Sequence, residues 1–219
     1  MLLGAREQKV VADRFQNLVG PVRLVMFTQE VECQFCRDTR ELVEQLASLS
    51  DKIKAEIYNF VLDKEQVAQY GVNKIPAVAI VGAKDYGIRY YGIPSGYEFS
   101  ALVDDIVDVS KDDSGLSAES RKALAGLTSD VHLQVFTTPT CPYCPQAVRL
   151  AHKMAIESDH VRADCVEAME FPQLVARYQV RGVPRTVVND SASLDGALPE
   201  AAYVAAIVQA VAQAGAPRS

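Results

Sequence analysis

Positive charge is in short supply. Lysine and arginine number 22 against 28 acidic residues, leaving a net charge of −6. That balance argues against nucleic acid or an anionic membrane as partner, since both are gripped by cationic side chains. No stretch reaches the ~20 consecutive apolar residues of a membrane span. The apolar start is broken at once by Arg6, Glu7 and Lys9, too early for the core of a signal peptide. Cysteine is sparse, five residues in 219. A chain that is 49% apolar can build a proper core without disulfide staples. The three histidines, His132, His152 and His160, show no paired ligand spacing and read as structural or surface residues. These absences together lead to the expectation of a soluble, cytoplasmic protein whose thiols are normally kept reduced.

Four of the five cysteines form two CxxC pairs, Cys33-Gln34-Phe35-Cys36 and Cys141-Pro142-Tyr143-Cys144. In a reducing compartment such pairs signal redox or metal chemistry. A proline follows the first cysteine of each pair by 43 residues, as Ile75-Pro76 and as Val183-Pro184. Around these marks the chain repeats. A β-prone run (24–28 and 131–137) leads through a polar loop into each CxxC. Apolar residues then recur at three- and four-residue steps, as at Leu42, Val43, Leu46 and Leu49, the period of a helix. Strand-like segments (53–61 and 161–166), short helices ending at Tyr70 and Tyr178, and strands opening at the prolines come next. The linker at 110–115 divides the chain into 1–113 and 114–219. Each part reads α-β-α-β-α-β-β-α, an α/β unit with a mixed sheet covered by helices.

A strand, a CxxC opening a helix and an X-Pro before a later strand resemble the thioredoxin fold. Two such units in a chain of this length resemble the protein disulfide oxidoreductases of thermophilic prokaryotes, also called glutaredoxin-like proteins. The resemblance implies two tandem thioredoxin-fold domains, each a mixed central sheet flanked by helices, with Pro76 and Pro184 cis and lying against the redox cysteines. Cys141-Pro142-Tyr143-Cys144 is the sharper motif, being typical of glutaredoxins; Cys33-Gln34-Phe35-Cys36 is a less common variant. Two features of the wider group are missing. The aspartate that thioredoxin carries six residues before its first active cysteine is replaced by Phe27 and Val135. No Gly-Gly turn of the glutathione-binding kind follows Pro184.

The attacking species in thiol–disulfide exchange is the thiolate, and a helix N-terminus favours negative charge. Cys33 and Cys141 are therefore the expected nucleophiles, and Cys36 and Cys144 the resolving thiols. The resemblance implies substrate contact at Ile75, Pro76, Val183 and Pro184, while Tyr143 and Phe35 inside the loops are equally open to substrate contact and to plain packing. Glu30 and Glu32 flank Cys33, whereas 131–156 holds no acid and carries Arg149 and Lys153. Negative neighbours disfavour a thiolate, so Cys141 is expected to be the more acidic thiol and the main site. Cys165 reads as a buried small hydrophobe, and the acids at 104, 105, 108, 112 and 113 as a solvated helix face and linker.

The function expected is reduction, with oxidation or isomerisation open, of protein disulfides. No cofactor is needed beyond the cysteines, and a flavin-dependent thioredoxin reductase is the implied electron donor. Two alternatives stand. One is an electron-relay module like the double thioredoxin-fold domain of bacterial peroxide-reductase flavoproteins. The other is a scaffold with structural disulfides or zinc, which the wide separation of the two pairs disfavours.

Overall fold

The computed structural model describes residues 2–215. Its central strands are buried on both faces, and their sequences show it. In β1 (Val22–Thr28) Leu24 and Met26 join one core while Val25 and Phe27 join another on the opposite face. A strand covered on both sides must be apolar nearly throughout. The same holds for β5 (Val131–Thr137), with Leu133 and Val135 on one face and Phe136 on the other.

The N-terminal half runs α1 (Ala5–Phe15), β1, α2 (Cys36–Ser48), β2 (Ile53–Asn59), α3 (Lys64–Gln69), β3 (Ala77–Val81), β4 (Asp85–Tyr91) and α4 (Glu98–Lys111). The C-terminal half repeats the order with α5 (Ala118–Ala125), β5, α6 (Cys144–Glu157), β6 (Val161–Glu167), α7 (Pro172–Arg177), β7 (Arg185–Val188), β8 (Ala192–Asp195) and α8 (Glu200–Gly215). In each half the CxxC strand lies between a parallel neighbour and the antiparallel strand that follows the proline. The larger core gathers α1, α2, α4, α5, α6 and α8 on one face, and the smaller gathers α3 and α7 on the other.

The two halves share one sheet. Strand order is β2-β1-β3-β4-β6-β5-β7-β8, with β4 and β6 paired in parallel from Ile88↔Ala163 to Tyr91↔Val166. The repeat suggests a separate sheet for each half; the edge of one is in fact the neighbour of the other. Charges lock this seam. Asp105 on α4 is fully buried and accepts hydrogen bonds from Arg149 (2.5 Å) and Tyr90 (2.6 Å), and its Oδ2 lies 2.6 Å from Nδ1 of His152. Arg149 also reaches Asp108 at 2.7 Å. The expectation of a solvated acidic face is thus corrected at Asp105. The helix period that exposes Asp104 turns Asp105 toward α6, where a cation and an imidazole wait. Burial alone would raise the Asp105 carboxyl, but His152 and Arg149 beside it hold it below the usual range.

Candidate active site

Each CxxC lies in the loop between the central strand and the next helix. Cys36 and Cys144 are the first residues of α2 and α6, so each pair sits where the helix leaves its first amides unpaired. Cys33–Cys36 and Cys141–Cys144 stand as disulfides, with Cα atoms 5.4 and 5.5 Å apart. The second cysteine is buried in both. The first differs: Cys33 is half-buried, Cys141 only 8% exposed. Tyr143 is 67% exposed beside Cys141, and Phe35 is half-buried.

The Ile75–Pro76 and Val183–Pro184 bonds are cis. Pro76 O accepts from Gly92 N (3.0 Å) and Pro184 O from Gly196 N (2.8 Å), tying each loop to the end of the next strand. Among the described residues no hydrogen bond involves the amide or carbonyl of Ile75 or Val183. The loops differ in charge. Arg181, three residues before Pro184, is exposed. Lys74, two before Pro76, folds over the Tyr91 ring at 3.5 Å, and its burial pulls its pKa down to about 8.

The other half of the chain reaches the loop that leads into Cys141. The segment between β4 and α4 meets it two residues before that cysteine, with Tyr97 N donating to Pro139 O at 3.0 Å. A Cβ at Gly96 would collide with that same oxygen, and Gly96 has φ +60°, so the contact requires glycine on both counts. One residue beyond Tyr97, Glu98 opens α4. It is 2% exposed, and neither carboxyl oxygen has a partner among the described residues. Burial raises it to about 8, with Glu167 adding to the rise. Glu167, at the end of β6 and paired in register with Thr137, is raised by burial too and has an unpartnered Oε1. Glu170 accepts from Ile93 N at 2.7 Å and is raised by burial to about 7. Cys165 lies among these carboxyls, its thiol 3.7 Å from Thr137 Oγ1, and burial pushes it well up. An inert, buried Cys165 fits this setting.

Glu98 is the residue that sequence reasoning misses. It reads as an ordinary acid in the first turn of a helix, and only the pairing of β4 with β6 buries it, beside Glu167 and Cys165 of the other half. Arg149 moves the other way. Its position along the chain suggests help for Cys141, but its guanidinium is occupied by Asp105 and Asp108. Among the described residues no three His, Cys, Asp or Glu gather as metal ligands, and no helix is long and apolar enough to cross a membrane.

Two cysteine pairs, each at a helix start in a strand-flanked frame, are an arrangement suited to thiol–disulfide exchange. Comparisons with known proteins agree. The thioredoxin domain family matches residues 131–209, which contain Cys141, Cys144 and Pro184. The thioredoxin of Methanocaldococcus jannaschii is 38% identical over 80 residues, 36% of this chain and 94% of that protein. The chain therefore belongs to the thioredoxin family. It overlays a protein disulfide oxidoreductase from Aeropyrum pernix K1 with a TM-score of 0.91 and 29% identity, covering 97% of this chain and 95% of that one. The alkyl hydroperoxide reductase component AhpF of Xanthomonas campestris pv. phaseoli is 26% identical over 154 residues, 70% of this chain. The chain spans about a quarter of that relative's length (27%).

Proposed function

We propose that this chain reduces protein disulfides by dithiol–disulfide exchange, mainly at Cys141 and Cys144. The observation that carries the reading is the doubled arrangement of CxxC, helix start and cis-proline loop within a frame that overlays a protein disulfide oxidoreductase along nearly its whole length. The divisions 1–113 and 114–219 act as two domains of one cytosolic protein.

The Cys141 thiolate attacks one sulfur of the substrate disulfide. A bond forms between Cys141 and that sulfur, the substrate S–S bond breaks, and the other sulfur leaves as a thiolate that takes a proton. Cys144 then loses its proton and attacks Cys141, releasing the substrate as a dithiol and leaving Cys141–Cys144 oxidised. Two electrons have passed to the substrate, and a reductant, by class a flavin-dependent thioredoxin reductase, must restore the dithiol. Val183 offers its unpaired amide and carbonyl to an extended substrate segment beside the pair, as Ile75 does at the first site, with Pro184 and Pro76 fixing each loop and Tyr143 forming the exposed rim.

Cys144 is fully buried, so its proton needs an acceptor inside the protein. Glu98 is the candidate. It is unpartnered, its pKa of about 8 is close to an ordinary thiol's, and it directly follows Tyr97, whose amide is bonded to Pro139 in the loop before Cys141. The acid-free stretch 131–156 leaves Cys141 without negative neighbours in its own segment, which favours this site over Cys33. A second reading, relay of electrons to a peroxidase, draws on the likeness to AhpF.

Insulin reduction with dithiothreitol tests the proposal. The unsubstituted chain accelerates it, and Cys141→Ser removes most of the acceleration. Reduction that is no faster with the chain than without it, while both disulfides remain reducible, would favour a scaffold.

A further inference from the structure

The two sites differ in what lies along their outer side. In the C-terminal half Cys165, Val166, Glu167 and Phe171 are all buried. Their register equivalents in the N-terminal half are Ile57, Tyr58, Asn59 and Asp63, matched through Met26↔Ile57 and Val135↔Cys165. All four are only half-buried. The cause is topological. β6 has β4 as a neighbour, and the segment after β4 meets the loop before Cys141 at Pro139. β2 has no outer neighbour among the described residues, because it is the edge of the sheet.

The open side of β2 is a groove. A cavity of about 490 Å³ runs from Cys33 to the end of β2, lined by Thr28, Arg37, Tyr58 and Asn59 among others. A second, of about 480 Å³, shares Gln29, Glu30 and Asn59 with the first and continues outward past Val31, Val61 and Leu62. Those three side chains are exposed, Leu62 at 78%, and large apolar residues on a surface groove mark a contact site. Glu30 and Glu32 are exposed on the same rim.

We propose that this groove docks an extended segment of a substrate polypeptide, added as a strand to β2, with apolar side chains on Val31, Val61 and Leu62 and a basic residue facing Glu30 and Glu32. The chain itself shows what fills the equivalent place. In the C-terminal half the position is taken by a polypeptide, β4 and the residues after it, paired in parallel to β6 and held by amides such as Tyr97 N to Pro139 O. An unpaired edge accepts an extended peptide through the same main-chain bonds. Arg37 at the inner end of the groove is the counter-charge that a mixed sequence meets nearest Cys33. The inference rests on the redox reading above and assigns a substrate class to its first site: unfolded chains rather than compact small disulfides.

The test uses the full chain with Cys141→Ser and Cys144→Ser, so that only the first site reacts. The probe is a cysteine-free peptide of alternating valine and lysine, followed through backbone amide NMR shifts. Binding is expected to shift residues 29–33 and 53–62. Leu62→Ser should weaken it about tenfold, the loss of one apolar anchor, while the rate of Cys33 with hydroxyethyl disulfide stays unchanged. Shifts confined to the loops at Ile75 and Val183, unchanged affinity in Leu62→Ser, or self-association through β2 in place of peptide binding would overturn the proposal. The two readings fail separately. Peptide bound in the groove without exchange at any disulfide overturns the redox role, and exchange with hydroxyethyl disulfide without peptide binding overturns the groove.

Discussion

The N-terminal and C-terminal halves follow one plan and end in different surroundings. The first CxxC opens onto an unpaired sheet edge, with Cys33 half-buried beside a groove. The second has the other half of its own chain against the loop that leads into it, with Cys141 nearly buried and an unpartnered carboxyl, Glu98, one residue beyond that contact. The difference does not come from the motifs. It comes from joining two copies edge to edge, which gives one copy a neighbour and leaves the other without. The inner faces differ accordingly. Counted from the first residue of each CxxC helix, Arg149 and His152 on α6 fall where α2 carries Glu41 and Glu44. Counted from the first residue of the last helix of each half, Asp105 falls where α8 carries Ile207. The acidic–basic lock is thus built at the internal seam alone.

The strongest way to break the comparison is to replace its cysteines one site at a time. Cys141→Ser is expected to cost tenfold or more in insulin reduction, a loss of about 1.4 kcal/mol or more in transition-state stabilisation. Cys33→Ser should cost less on the same substrate. Equal losses would erase the distinction. The seam gives a second test. Asp105→Ala leaves Arg149 and His152 facing a buried gap, and breaking a buried pair from one side costs about 3–5 kcal/mol. Urea unfolding measures it, and a loss under about 1 kcal/mol would mean the lock is idle.

Gly96→Ala sharpens the comparison by pushing the segment after β4 away from Pro139. The added methyl meets Pro139 O and the positive φ disfavours it, at about 1–3 kcal/mol. Alkylation of reduced Cys141 should speed up while that of Cys33 is unaffected. A further test concerns pH. The Glu98 carboxyl is raised to about 8 in the folded chain, so it stays protonated where an unfolded glutamate has ionised. Its share of stability is full below the unfolded value near 4.3 and drains away as pH rises through about 8. Glu98→Gln should flatten the decline between pH 5 and 9, measured by unfolding at several pH values; an unchanged slope would place the decline elsewhere.

Much of this is legible in the sequence. The matched spacing from cysteine to proline, the strand–CxxC–helix order and the doubled chain point to the fold because short-range patterns specify local elements. The seam is not legible. The pairing of Tyr90 with Cys165 joins residues from separate repeats, and no periodicity announces which edge meets which. Asp105 reads as one of several surface acids, since a charge carries no mark of the partner it will meet. Arg149 looks like a companion of Cys141 by nearness along the chain, and the fold gives it to α4. Glu98 escapes notice because its environment is made by the other half.

The central proposal is that one carboxyl, supplied by the N-terminal half, takes the proton of the C-terminal dithiol and not of the N-terminal one. Alkylation of each reduced CxxC across pH 5–10, in chains lacking the other pair, tests it most directly. The account predicts that Cys141 reacts at lower pH than Cys33 and that its profile carries a second inflection near pH 8 which Glu98→Gln removes. The Cys33 profile should be a single step in both chains. Superimposable profiles for the two cysteines, both insensitive to Glu98→Gln, would contradict it.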